Sequence, residues 1–245
     1  VEAIASATWR FVDMIMEAIA NKDVEFVRNV VKHPYNRRLT SELGVTLLYA
    51  AVEANVPDMV RILLSTDPIP DLNAATGDFH EHPIDVAVNN DNAEIVQMLI
   101  EAGANCTVVN PRDLRHVSLE VFLMVVPHMP QLPTLIFESD TYRYNAPGNL
   151  LHAIAGYDEV EQSGEITADP TTIIEKTQWC LDHHMDINGR DSWESTPLHR
   201  AVMAKQPYEY IKFLLEKGED ANLVNLAGKK AIESWTISFA RFLRL

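Results

Sequence analysis

The stretch "STPLHRAVMAKQPYEYIKFLLEKGEDANLVN", residues 195–225, holds a threonine–proline pair, a single histidine, an apolar helical stripe and a glycine-punctuated acidic turn. Thr196 can cap a helix with its hydroxyl, and Pro197 fits the first helical position, where a missing N–H costs nothing. Leu198 and Ala201 then face inward. Ile211, Phe213, Leu214 and Leu215 stripe a second helix, and Gly218 stands where a helix ends in a left-handed residue. A helix pair of this kind buries only one face, so it needs neighbours to complete a core.

The pattern recurs. "GVTLLYAAVEANVPDMVRILLSTD" (44–67) and "HEHPIDVAVNNDNAEIVQMLIEAGAN" (80–105) repeat the short helix, polar break, longer amphipathic helix and Gly or Asp turn. Aligned on Thr196, their equivalent positions are Thr46 and His82. Weaker copies anchor at Asp13 in "DMIMEAIANKDVEFVRNVV", at Asn149 in "NLLHAIA", which runs on to "WCLDHHMDIN", and at Lys230 in "KAIESW". A further unit is expected near Arg115, with "VSLEVFLMVV" and "LPTLIF" as eroded helices. The anchors step by about 33 residues, apart from one long step after Asn149.

These residues resemble the ankyrin repeat, which opens its first helix with Thr-Pro-Leu-His-x-Ala and closes its second with Leu-Leu-x-x-Gly-Ala-Asp-x-Asn. "TPLHRAV" (196–202) with "LLEKGEDAN" (214–222) is close to a full match. The resemblance implies an all-α solenoid of helix-turn-helix repeats with hairpin turns, about six repeats plus a C-terminal cap. It covers residues 1–245 as one repeat domain, which a longer protein could contain. Ala51, Ala87, Ala155 and Ala201 recur where the first helix must approach its neighbours, and Gly103 matches Gly218. Departures are visible too: Leu47 follows Thr46 where the family has proline, His82 replaces threonine, and Tyr49, Asp85 and Met16 replace the histidine.

Charge and composition exclude several function classes. Lys and Arg total 20 against 35 Asp and Glu in 245 residues, a formal charge of -15, which repels phosphate backbones and anionic lipid. Arg37-Arg38, Lys229-Lys230 and the terminal Arg241 and Arg244 are groupings too short for a nucleic-acid footprint. No apolar run approaches the roughly 18 to 20 residues of a membrane span, and "VEAIASATWR" lacks the features of a signal peptide. Neither nucleic acid nor membrane is expected as a partner. Cys106 and Cys180 make no disulfide framework or metal motif, and a reducing cytoplasmic or nuclear location is expected. No GxGxxG, phosphate-loop or HExxH pattern occurs, and neither a cofactor nor a metal nor catalysis is expected.

The resemblance implies that His199 and His152 bond backbone groups of neighbouring turns. His183-His184, beside Asp182 and Asp186, ends a second helix as a solvated turn, because adjacent helical residues point about 100° apart and make poor joint metal ligands. Cys180 lies on the apolar stripe with Trp179 and Leu181 and is expected to pack inside. "GYDEVEQSGEITADP" (156–170) falls between the two helices of one unit and explains the long step. Asp158, Glu159, Glu161, Glu165 and Asp169 make it acidic, as a tolerated surface loop or a docking element for a basic partner.

Aromatic residues gather in the turns between units: Phe79 and His80, Tyr142 and Tyr144, and Trp193, with Asp78, Asp140, Asp191 and Glu194 beside them. In ankyrin-like stacks such fingers and the first helices line a concave face that recognises proteins. The expected partner is therefore another protein, through a basic or amphipathic segment seated on aromatic anchors in an acidic groove. The same rings could instead pack between fingers. Two rival readings are an enzyme on the repeat scaffold, with a base drawn from His128, Glu138 or Asp140 near the eroded central unit, and a positioning segment of a multidomain protein. The apolar end "AIESWTISFARFLRL" either caps the stack or docks another domain or chain.

Overall fold

A computed structural model describes residues 2–41, 44–76, 80–111, 113–132, 148–156 and 169–234, with the backbone course alone for 2–9. The described residues are helical, with short 3-10 turns and isolated bridges but no β-strand. In chain order the helices are α1 (Glu2–Ala20), α2 (Val24–Val30), α3 (Leu47–Glu53), α4 (Pro57–Leu64), α5 (Pro83–Asn89) and α6 (Ala93–Ala102). They continue as α7 (Leu119–Val125), α8 (Leu150–Gly156), α9 (Pro170–Asp182), α10 (Pro197–Met203) and α11 (Tyr208–Glu216).

The first helix of a unit has one length. Each of α3, α5, α7, α8 and α10 is seven residues long, and each starts just after its anchor. The anchor side chain, or the residue three places on, satisfies the free N–H groups that open a helix. Thr46 Oγ1 accepts the Tyr49 N–H at 3.1 Å, Ser118 Oγ that of Val121 at 3.3 Å, and Asn149 Oδ1 that of His152 at 3.3 Å. In the reverse direction Asp85 accepts the His82 N–H at 2.9 Å, and His199 Nδ1 accepts that of Thr196 at 3.2 Å.

Two anchors move. The central unit begins at Ser118 rather than near Arg115, because Ser118 is the residue able to cap α7. Asp13 opens no helix at all. It lies exposed within the continuous α1, since the preceding "EAIASATWRFV" contains neither proline nor glycine and extends the helix to Glu2.

Helix ends repeat as faithfully as helix starts. Lys22, Asn55, Asp91 and Lys205 all adopt positive φ, between 50° and 60°, one residue past the C-cap of a first helix. In each case the following N–H reaches back into the helix, as from Val56 to Ala51 O at 3.3 Å and from Gln206 to Ala201 O at 2.9 Å. Second helices close in the same way at Gly103, His184 and Gly218.

The chain divides into two compact units, one of residues 1–110 with 123–129, the other of residues 111–122 with 130–245. Within the first, α1 packs on α3 and α3 on α5, while α2 packs on α4 and α4 on α6. Within the second, α8 packs on α10 and α10 on the 3-10 turn Ala231–Ser234, while α9 packs on α11. First helices thus stack on first and second on second. The contacts use the small residues the sequence marks, with Ala51, Ala87, Ala155 and Ala201 wholly buried. The insertion begins where α8 ends, at Gly156, and α9 resumes at Pro170; residues 157–168 lie outside the described residues.

Candidate functional site

Each repeat reaches forward to the finger of the next. His199 Nδ1 is occupied by the Thr196 N–H, so its other nitrogen carries the proton and Nε2–H donates to Lys229 O at 3.0 Å. His152 does the same, with Nδ1 accepting from the Asn149 N–H at 3.2 Å and Nε2–H donating to Ser195 O at 3.0 Å. In the first unit Tyr49 fills this position, and its hydroxyl donates to Glu81 Oε2 at 3.0 Å. The acceptor residue always precedes the next anchor. Burial pushes both histidines below their ordinary value and so favours the neutral, single-donor imidazole that the bonds require.

The fingers so held share one turn. Ser41, Asp191 and Asn225 each donate an N–H to the carbonyl four residues on and accept one from the residue three on, at 2.8–3.0 Å. Their side chains fold over the same loop: Asp191 Oδ1 accepts from Trp193 N at 2.8 Å and Ser195 N at 2.9 Å, and Asn225 Oδ1 from Ala227 N at 3.0 Å and Lys229 N at 3.1 Å. The third residue on is left-handed, as Gly44, Glu194 or Gly228.

This turn decides what the Trp193 finger displays. The other oxygen of Asp191 accepts from Arg200 Nε at 2.7 Å and from Nη2, and the two side chains are 0% and 1% exposed. Asp191, expected beside the aromatics on the contact surface, is instead an internal strut, because the loop N–H groups and the guanidinium enclose its carboxylate. Trp193 is 45% exposed, and its carbonyl accepts the Leu226 N–H at 2.8 Å. Leu226, on the neighbouring finger, is 75% exposed. Arg190 ties the same fingers by donating to Val224 O at 3.0 Å and to Glu194 Oε2 at 2.7 Å. The result is a two-finger platform with Trp193, Val224 and Leu226 on its surface and an ion pair at its side.

Of the other expected contact residues, Glu194 is exposed and His80 is exposed at positive φ. Asp78, Phe79, Asp140, Tyr142 and Tyr144 lie outside the described residues. His128 is exposed on a short turn after α7, while Glu138 and Asp140, the other bases of the enzyme reading, are outside the described residues. His183 stacks on Trp179 at 3.8 Å, with Nδ1 2.8 Å from the Trp179 carbonyl oxygen. No group of His, Cys, Asp or Glu among the described residues is arranged to hold a metal ion. Cys180 is fully buried, and burial raises its thiol pKa.

Three buried charges escaped sequence reasoning. Arg200 occupies the variable position of the Thr-Pro-Leu-His-x-Ala pattern. Lys176 lies on the buried stripe of α9 with Ile173, Thr177 and Cys180, and its ammonium donates to the carbonyls of Leu114, Arg115 and Val117 at 2.9, 3.0 and 2.5 Å. A lysine on an apolar stripe was the available signal. Glu219 stands where the family pattern has alanine, as at Ala104 in the first unit. Its Oε1 accepts the Leu198 N–H at 2.6 Å, and burial pushes its pKa up to about 7.

Two ankyrin repeat descriptions match the sequence, one of three copies over residues 15–110 and one of many copies over residues 174–215. The chain belongs to the ankyrin repeat family. Among solved structures, the human ASB11 ankyrin repeat domain is similar at 16% identity and a TM-score of 0.67, covering 91% of this chain and 92% of that one. The ankyrin repeat domain of Bcl-3, a member of the IkappaB protein family, is similar at 15% identity and a TM-score of 0.56, with 90% and 92% covered. At these identities the likeness is one of fold: an all-α ankyrin solenoid. No curated protein matches the sequence. Ankyrin repeat domains are generally protein–protein interaction modules.

Proposed function

We propose that this ankyrin chain is a non-enzymatic scaffold that seats an amphipathic segment of another protein on its finger side, at the Trp193–Leu226 platform. The observation that carries the reading is the pairing of exposure with rigidity. Trp193 and Leu226 present apolar surface to solvent, yet the Leu226 N–H bond to the Trp193 carbonyl and the buried Asp191–Arg200 pair fix the loops beneath them. An apolar anchor on a preorganised backbone loses little entropy on binding. The net charge of -15 steers basic flanks of such a segment toward the chain, while the platform supplies the contact. The titratable groups displaced by burial, His152, His199 and Glu219, support a binding role over catalysis, since each is engaged in a hydrogen bond that holds a repeat.

The test compares the intact chain with a Trp193→Ala, Leu226→Ala double variant whose circular dichroism and melting match the parent. Both serve as bait, and any retained protein is then cut into overlapping peptides and titrated. A partner held by the parent and lost by the variant, through a peptide with one apolar and one basic face, upholds the reading. Equal retention by both baits removes the platform from the binding surface.

A further inference from the structure

The first unit contains a cleft of about 450 Å³ between the segment 37–48 and the loop 68–74. Its walls are mainly apolar, with Leu39, Leu47, Pro68 and Ile69 among them. Ile69 is 53% exposed, far more than an isoleucine needed only for packing. The mouth carries two arginines of different standing. Arg37 is engaged: its Nε donates to Val31 O at 2.7 Å, and its Nη1 and Nη2 donate to the carbonyls of Asp67 and Lys32. It therefore ties the two walls together. Arg38 is exposed and has no hydrogen-bond or ion-pair partner among the described residues. The one acid on the lining, Asp71, turns a carboxylate oxygen to its own loop and accepts the Asn73 N–H at 2.9 Å.

We infer that this cleft is a second docking site, for a protein segment that presents a large apolar side chain flanked by carboxylates. The slot takes the side chain, and the Arg38 guanidinium pairs with a carboxylate beside it. The choice of an acidic occupant follows from charge complementarity at contact range. The chain as a whole carries -15, but screening confines charge effects to about 8 Å at physiological salt, so the groups at the mouth decide which segment fits. There the unpaired charge is the Arg38 cation, and guanidinium matches carboxylate geometry with two parallel N–H bonds. The site thus has the opposite charge preference from the finger platform and does not depend on it.

The probe is a fluorescein-labelled peptide, Gly-Ser-Glu-Leu-Glu-Ser-Gly, titrated into the full chain by anisotropy. Companion peptides replace both glutamates with lysine or the leucine with serine. The acidic peptide is expected to bind below about 1 mM, with affinity falling at least about tenfold for each companion and for Arg38→Glu or Ile69→Ser. Both substitutions are at exposed side chains, and matched thermal melts establish that the variants fold. Arg38→Glu should in turn favour the lysine peptide, and Trp193→Ala should leave acidic-peptide binding unchanged. Equal binding of acidic and lysine peptides to the parent overturns the inference, as does indifference to Arg38→Glu or loss of acidic-peptide binding in Trp193→Ala. Absence of acidic-peptide binding up to about 1 mM overturns it too.

Discussion

The imidazole Nε2 of His152 lies 3.0 Å from the carbonyl oxygen of Ser195, a residue 43 positions further along the chain. One buried side chain therefore fastens the opening turn of α8 to the finger that precedes α10. His152→Ala would leave both the Ser195 carbonyl and the Asn149 N–H without this partner. The expected cost is on the order of 2 to 3 kcal/mol, read as a lower urea midpoint at unchanged slope.

Acidification should weaken the same fastenings. Burial lowers His152 and His199 below the ordinary value of 6.5, so between that value and their folded pKa the unfolded chain binds more protons than the folded one. Their contribution is fully present above pH 6.5 and is lost as pH falls through the folded values. Thermal melts should drop on this limb, and the drop should shrink in a His152→Gln, His199→Gln chain.

Glu219 acts in the opposite sense. Its folded pKa is raised by burial from 4.5 to about 7, so its stabilising contribution is fully present below pH 4.5 and lost as pH rises through about 7. Glu219→Gln keeps an acceptor for the Leu198 N–H and removes the charge. It should stabilise the chain at pH 8 by on the order of 2 kcal/mol and change little at pH 4.5, as measured by denaturant unfolding at the two pH values.

The Asp191–Arg200 pair is fully enclosed, so removing one partner is worse than neutralising both. Arg200→Leu should cost about 3 to 5 kcal/mol because Asp191 keeps a buried charge. Adding Asp191→Asn should recover part of that loss, since Asn225 holds the same turn with a neutral amide. A double-mutant cycle in urea measures the coupling; strictly additive losses would contradict it.

Glycines at helix ends should differ sharply in their tolerance. A Cβ on Gly156 would lie 2.2 Å from the Ala204 Cβ, whereas one on Gly103 meets nothing within 4 Å. Gly103→Ala carries only left-handed backbone strain, about 1 kcal/mol. Gly156→Ala adds a collision between α8 and the turn after α10, for a total of about 3 kcal/mol. Melting temperatures of the two variants provide the comparison.

Residues with a single local consequence were legible in the sequence. Thr196, Pro197 and Gly218 mark the edges of helices through their own backbone chemistry, and His199 and His152 mark the forward bonds through a resemblance that holds. The boundaries that shifted, at Asp13 and near Arg115, lack such chemistry: one lies in an unbroken helix-forming run, the other three residues before the serine that caps. The finger surface was legible only in part. An aspartate beside a tryptophan in a turn reads as exposed, and nothing local in the sequence records that Arg200 reaches back to enclose Asp191. Glu219 departs from the repeat pattern visibly, but its burial depends on the approach of the α10 N-terminus across 21 residues.

The forward reach of Tyr49, His152 and His199 gives assembly a direction. Each donor is synthesised before its acceptor, by 32, 43 and 30 residues respectively. As the chain leaves the ribosome, a repeat therefore stays unlatched until its successor emerges, and the nascent fold closes one step behind synthesis. A break after Asn225 would undo only the last of these latches, leaving His199 facing a missing carbonyl while His152 still holds Ser195. Wear of this structure from its C-terminal side is thus gradual, repeat by repeat.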